Sequence, residues 1–148
     1  MKERFETFTI LISKISRNIK KIKNQEMAEY ELRSTHVSCL YYLCAAKQLT
    51  ATELCERCEE DKATISRAVD YLEKNGYVSC ESKSPKRYNS PIVLTEKGQE
   101  VGEKICHKVN LILDEVGAEL SDKERIEFYR CLTLISNNLE KITDTQRN

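Results

Sequence analysis

Residues 50–80 read TATELCERCEEDKATISRAVDYLEKNGYVSC, and how this stretch folds decides the architecture of the chain. Thr50-Ala-Thr-Glu53 has the form of a capping box, in which the Thr50 oxygen takes the Glu53 amide and the Glu53 carboxylate reaches back. A short helix burying Leu54 is expected to follow. Asp61 is placed to cap a second helix, because its carboxylate can accept amides that the helix itself leaves without partners. Ile65, Ala68, Val69 and Leu72 then fall at helical spacing and form one apolar stripe. Lys62, Ala63, Thr64, Ser66, Arg67 and Asp70 lie off it. Lys74 is in the last turn, and Asn75-Gly76 provides a left-handed stop.

Beyond that stop, Tyr77–Glu81 has strand character, with Val78 and Cys80 facing one way and Tyr77 and Ser79 the other. Lys83-Ser84-Pro85-Lys86-Arg87 is a turn-forming basic tip. Ile92 and Leu94 alternate in a return strand, where Pro91 suits an edge position. Short helix, tight turn, second helix at about residues 62–75 and a two-stranded wing together make a winged helix-turn-helix. In that arrangement the second helix is shaped to enter a DNA major groove.

The flanks are helical and apolar along one side. Phe5, Phe8, Ile12, Ile15, Ile19 and Ile22 recur every three or four residues, with Lys14, Arg17, Lys20, Lys21 and Lys23 around the second half of that seam. These lysines and arginines read either as a solvated face or as a stretch passing near phosphates. Residues 24–33 end this helix and form a connection. Ser34 is expected to cap the next helix, which carries Val37, Leu40, Tyr41, Leu43 and Cys44; Lys47-Gln48-Leu49 links it to Thr50. After the wing, Thr95 caps a long helix with Val101, Ile105, Val109, Ile112, Val116 and Leu120. Ser121-Asp-Lys-Glu124 is a second capping box, opening a last helix with Ile126, Tyr129, Leu132, Ile135, Leu139 and Ile142. Such long apolar seams cost about 25 cal/mol per Å² when left in water, so a second subunit is expected to cover them.

The 148 residues fit one domain. Formal net charge is zero, from 24 Lys/Arg and 24 Asp/Glu, which disfavours a generic polyanion binder. The charge is uneven, however. Residues 1–24 hold seven Lys/Arg against two Glu, and residues 62–97 hold seven against four Asp/Glu. Binding to DNA depends on such local cations, so neutrality overall does not oppose it. No apolar run approaches membrane-spanning length, and the N-terminus lacks a signal-peptide core, so a cytoplasmic location is expected. No Gly-rich phosphate loop, nucleophile elbow or paired-His metal motif occurs, so neither an enzyme nor a cofactor is expected.

Seven cysteines are many for this length, and in a reducing cytosol they read as thiols rather than a disulfide framework. Cys55 and Cys58 form a CxxC on the first helix of the helix-turn-helix. A structural zinc would need four ligands and no second CxxC exists, so no metal site is expected. The pair is also badly placed for an unstrained bond within one helix. Packing thiols are the simpler reading, and a redox sensor built on Cys55 or Cys58 the sharper one. Cys39, Cys44, Cys80, Cys106 and Cys131 show no pairing in the sequence.

The order of elements resembles the MarR family of transcription regulators. The residues that carry the resemblance are Leu49-Thr-Ala-Thr-Glu-Leu54, then Asp61-Lys-Ala-Thr-Ile-Ser-Arg-Ala-Val-Asp-Tyr-Leu-Glu-Lys-Asn-Gly-Tyr-Val78, then Leu94-Thr-Glu-Lys-Gly98. The resemblance implies a mainly α fold with a small β-wing. Residues 34–98 would be the winged helix-turn-helix, and residues 1–33 and 99–148 the dimerisation helices. It implies a homodimer, usually a repressor, on double-stranded DNA with a pseudo-palindromic operator, released by a small organic ligand. Carried over by position, Lys62, Ala63, Thr64, Ser66 and Arg67 would face the groove. Many members have Asp, any residue, Arg just before the second wing strand. Here those places hold Lys86 and Tyr88 with Arg87 between, so Lys83, Lys86 and Arg87 are expected at phosphates or the minor groove. Tyr30, Leu32, His36 and Tyr41 would border a ligand pocket, against the plainer reading of His36 as a hydrogen-bonded capping residue. Arg67 is read as a base or phosphate contact, the alternative being an ion pair with Asp70. Two other classes stay open: a thiol-based redox regulator, and a winged helix that binds protein rather than DNA.

Overall fold

The computed structural model describes residues 2–81 and 90–146. Its elements are α1 (Lys2–Glu26), a short 3-10 turn (Ala28–Tyr30), α2 (Ser34–Ala46), β1 (Gln48–Leu49), α3 (Ala51–Cys58), α4 (Lys62–Lys74), β2 (Val78–Cys80), β3 (Ile92–Leu94), α5 (Glu96–Val116) and α6 (Asp122–Thr145). Residues 1–107 and 108–148 form two compact units.

In the first unit α2 is the hub. Val37, Ser38, Cys39, Leu40 and Leu43 are all buried. A helix apolar on several sides must be surrounded, and α1, α3, α4 and β3 surround this one. Leu54 of α3, Ile65 and Leu72 of α4, Ile92 of β3 and Ile105 of α5 complete the centre of the core. Met27 and Leu32, either side of the 3-10 turn, are each 1% exposed, so the connection after α1 is pinned into the core.

Three expectations are corrected here. Ser34 does not cap α2; it is the first helical residue and its amide bonds Asn24 Oδ1 at 2.7 Å. Arg33 occupies the cap position, and its N–H donates to His36 Nδ1 at 3.0 Å. The sheet has three strands, in the order β1-β3-β2, because Gln48-Leu49 pairs antiparallel with Val93-Ile92. Two residues are too few to show an alternation; their pairing with β3 makes them a strand, after Lys47, at φ 71°, has ended α2. The return strand β3 is therefore central rather than an edge. Pro91 lies just before it, where a missing N–H leaves the ladder intact.

The other expected caps are present. Thr50 Oγ1 accepts from the Glu53 amide at 3.2 Å, and Glu53 Oε2 accepts from the Thr50 amide at 2.9 Å. Glu59, at φ 52°, ends α3 in the left-handed region and makes the tight turn into α4. Gly76, at φ 79°, supplies the left-handed residue after α4.

One glycine is required for a different reason. A Cβ on Gly98 would sit 1.9 Å from the Tyr77 carbonyl oxygen. The root of α5 therefore lies directly on the chain leaving α4. Thr95 bonds there twice: its amide donates to Tyr77 O at 3.0 Å and its hydroxyl to Gly76 O. Thr95 Oγ1 also accepts from the Gly98 amide at 3.1 Å, which makes it the cap of α5.

On α1, Phe8, Ile12, Ile15 and Ile19 of the expected seam are exposed, as are Ile10 and Leu11 beside it. The Phe5 side chain is outside the described set. In the second unit, Ser121 caps α6 by accepting from the Glu124 amide at 3.2 Å. Ile126, Tyr129, Ile135, Leu139 and Ile142 of α6 are all exposed, and Leu132 is half-buried.

Candidate nucleic-acid interface

Helix α4 separates two kinds of surface. Ile65, Ala68, Val69 and Leu72 face the core. Lys62, Ala63, Arg67 and Asp70 are exposed, and Thr64 and Ser66 are half-buried at the margin. The division follows from the sequence spacing, because a stripe at three- and four-residue intervals buries one side and turns the intervening residues outward.

The start of this helix is fixed by Asp61. Its Oδ1 accepts from the Thr64 amide at 2.7 Å, which holds the Asp61 carboxyl below the usual carboxylate range. The Arg67 Nη2 lies 3.4 Å from Thr64 Oγ1, so the guanidinium rests over the first turn rather than trailing along the helix. An exposed guanidinium in the first half of such a helix carries the paired donors that match guanine O6 and N7, or a phosphate. At the other end, Lys97 Nζ donates to Asn75 O at 2.8 Å, satisfying one of the carbonyls that α4 leaves over.

Lys62, Ala63, Thr64, Ser66 and Arg67 thus share the first two turns of one helix, with Lys62, Ala63 and Arg67 its most open positions. Lys83, Lys86 and Arg87 of the expected set lie outside the described residues.

The four residues expected at a ligand pocket are not gathered together. A hollow of about 690 Å³ is lined by Asn24, Ala28, Glu31, Leu32, Arg33, His36 and Tyr71. Leu32 and His36 are therefore in one place. Tyr30 instead meets Lys104, whose Nζ is 3.5 Å from its hydroxyl, and Tyr41 packs edge-on against Tyr42. The residue that sequence reasoning missed is Tyr71. Its ring stacks on His36 at 4.3 Å between centroids, and its hydroxyl donates to Glu31 O at 2.8 Å. Its one sequence signal is an aromatic ring on α4 beside the apolar stripe. Burial, then the Arg33 charge, lower the pKa of His36, so the neutral ring that accepts from Arg33 is favoured.

Cys55 and Cys58 are both half-buried on α3. They differ in their surroundings. Burial pushes the Cys55 thiol up, whereas Cys58 interacts with the Cys39 thiol of α2 and is lowered. A second thiol pair joins Cys44 and Cys106. In each case the neighbouring thiol belongs to a different helix, and such neighbours leave no mark in sequence spacing. Among the described residues no helix is long and apolar enough to cross a membrane.

Residues 30–87 match the model of the MarR family. An uncharacterised HTH-type transcriptional regulator of Bacillus subtilis, YwoH, is 27% identical over 117 residues, covering 79% of this chain and 85% of that protein. Among solved structures, the MarR family regulator NMB1585 of Neisseria meningitidis superposes with a TM-score of 0.82 at 19% identity, covering 97% of this chain and 98% of that one. The MepR–DNA complex of S. aureus superposes with a TM-score of 0.78 at 20% identity, covering 90% and 97%.

Proposed function

From the premise that this chain belongs to the MarR family of transcriptional regulators, we propose that it acts as a cytoplasmic homodimeric repressor. Two copies of α4 would enter successive major grooves of a pseudo-palindromic operator, about one helical turn or ~34 Å apart. The observation that carries this reading is the outward face of α4. Its first two turns present Lys62, Ala63 and Arg67 to solvent, with Arg67 steadied over Thr64, while the opposite side is anchored in the core. A neighbour solved as a DNA complex, MepR of S. aureus, supports DNA as the partner. Lys83, Lys86 and Arg87 would add wing contacts to phosphates or the minor groove.

The dimer reading rests on exposed apolar side chains on each unit taken separately. Ile12, Ile15 and Ile19 on α1 are each 41–49% exposed, and Ile126, Leu139 and Ile142 on α6 are 48–71% exposed. A partner subunit would remove both from water. For release by a small ligand, the hollow beside His36 and Tyr71 is the candidate, since Tyr71 belongs to α4 itself. Arg33 on its rim suits an organic anion with an aromatic ring. Benzoate is a first probe: heat on titration that Arg33→Ala removes supports the pocket, and no heat removes its support.

The deciding experiment is selection of bound duplexes from a random-sequence library. Enrichment of an inverted repeat, with an affinity that falls steeply with salt, is the expected result. No enrichment and a flat salt response would turn the reading toward a protein partner.

A further inference from the structure

Helix α1 carries a charge pattern that the fold itself does not use. Between Thr7 and Gln25 it holds Lys14, Arg17, Lys20, Lys21 and Lys23 and no Asp or Glu, in a chain whose formal net charge is zero. At helical spacing, Lys14, Arg17, Lys20 and Lys21 fall on the side opposite Ile12, Ile15 and Ile19, and between residues 11 and 23 only Ser13 shares that side with them. All four cations are exposed. Lys23, at the margin, is half-buried, and its Nζ donates to Ser38 Oγ at 3.0 Å. That bond, with the one from the Ser34 amide to Asn24 Oδ1 at 2.7 Å, fixes the end of α1 to α2, the helix against which α3 and α4 pack.

Elsewhere in the chain, helical cations are matched by acids. Lys104 pairs with Glu100, Arg125 with Asp122 and Arg130 with Glu127, each three or four residues away. On α1 the neighbours at that spacing are like charges: Lys14 with Arg17, and Arg17 with Lys20 and Lys21. Like charges so placed oppose helix formation. The helix dipole favours cations in the last turn, which accounts for Lys23 and not for Lys14 or Arg17. An external anion would relieve the repulsion. From Lys14 to Lys21 the helix rises ~10.5 Å, and phosphates recur along one strand every ~3.4 Å of duplex axis. The four cations and the Ser13 hydroxyl thus span about three phosphates of a strand, and both kinds of group are phosphate donors. This side offers no buried aromatic or aliphatic anchor of the kind on which protein interfaces depend. A membrane surface would draw in the apolar side of the helix too, which the dimer reading assigns to the partner subunit.

We propose that Lys14, Arg17, Lys20 and Lys21 form a second, sequence-independent surface for double-stranded DNA, gripping phosphates outside the base pairs addressed by α4. It rests on the DNA-binding reading above and adds a contact that carries affinity but no sequence information.

The test is fluorescence anisotropy of the full-length chain across a salt series, on a library-selected operator and on a duplex of scrambled sequence. Lys14→Gln/Arg17→Gln/Lys20→Gln/Lys21→Gln replaces four exposed residues with a good helix former, and circular dichroism checks its fold. The expected result is weaker binding to both duplexes by the same factor, with the slope of log K against log salt shallower by about 2 or more, at ~0.9 per phosphate contact. Lys14→Arg/Lys20→Arg/Lys21→Arg should keep the parent's slope. Lys14→Gln/Lys21→Gln should give an intermediate slope, and is the decisive variant if the fourfold change unfolds the helix. A fourfold variant with the parent's slopes, weakening on the operator alone, or a parent that binds neither duplex overturns the proposal. Arg67→Ala separates this surface from α4: it should lose the operator's advantage and still bind the scrambled duplex with a slope that the α1 changes reduce. A library that enriches no site, with the α1 effect intact on scrambled DNA, removes the reading of α4 and leaves that of α1. Loss of binding to phosphatidylglycerol vesicles in the fourfold variant, with its DNA slopes unchanged, would give the surface to a membrane instead.

Discussion

Replacing Gly98 with alanine should destabilise the joint between α4 and α5. The added Cβ would lie 1.9 Å from the Tyr77 carbonyl oxygen and 2.9 Å from its carbon. The backbones would have to part by about 1.1 Å merely to reach the 3.0 Å floor of real Cβ contacts. The oxygen cannot retreat freely, because it holds the Thr95 amide at 3.0 Å. Alanine in a helix gains roughly 1 kcal/mol over glycine. Against that stand ~1–3 kcal/mol or more for overpacking and about 1 kcal/mol for a weakened hydrogen bond. The balance is a loss of ~1–3 kcal/mol, which for a chain of this size lowers Tm by about 2–4 °C per kcal/mol. Urea unfolding followed by circular dichroism, at one protein concentration throughout, measures it. Two other glycines calibrate the result. Gly76→Ala meets open space but keeps φ at 79°, and should cost about 1 kcal/mol. Gly102→Ala meets the Cys44 side chain at 3.1 Å and the Leu40 carbonyl oxygen at an ordinary 3.5 Å, and should cost less than Gly98→Ala. A Gly98→Ala protein as stable as the parent would refute the close approach described here.

Arg67→Ala should weaken specific duplex binding by ~1–3 kcal/mol, or roughly fivefold to over a hundredfold in Kd, with unchanged circular dichroism; equal titration curves on a library-selected duplex would remove Arg67 from the interface. Thr50→Ala removes the side-chain oxygen that accepts from the Glu53 amide, leaving the residue-50 amide on Glu53, and should cost ~0.5–2 kcal/mol in urea unfolding. On the proposed dimer, Ile15→Glu together with Ile19→Glu should give a monomer in sedimentation velocity runs; a sedimentation coefficient equal to the parent's would exclude α1 from a subunit contact. His36 has a lowered folded pKa, so its contribution to stability is complete above the unfolded value of 6.5. As pH falls below 6.5, the unfolded chain takes up the proton first and stability drops until the lowered folded value is passed. His36→Asn should flatten that part of the stability–pH curve, and a slope the same as the parent's would assign it to other groups.

The helix boundaries were legible because their signals are local. Thr50, Asp61, Thr95 and Ser121 each accept from the amide three residues on, and that bond depends on residue type and spacing alone. The outward set on α4 was legible for a related reason, since one apolar stripe determines which side chains remain outside. What was not legible depends on packing between segments. β1 has two residues, and only its pairing with β3 makes it a strand. Tyr71 meets His36 across two helices, so a pocket built from family position included Tyr30 and Tyr41 and missed the ring that lines the hollow. The CxxC drew attention to Cys55–Cys58, whereas the thiol that Cys58 meets belongs to α2. Gly98 was visible only as the end of a motif; its necessity is a distance of 1.9 Å to another strand of chain.

The clasp between Gly76-Tyr77 and Thr95 has an evolutionary corollary. The chain departs at Tyr77 and returns at Thr95, and these two points are bonded to each other by the Thr95 amide and hydroxyl. Whatever is spliced between the outer ends of β2 and β3 begins and ends on a closed ring. A change of length or charge in the sequence between those strands is therefore bounded by a joint that depends on residues outside it, and the anchoring of α4 at Tyr77 and Thr95 is decoupled from it.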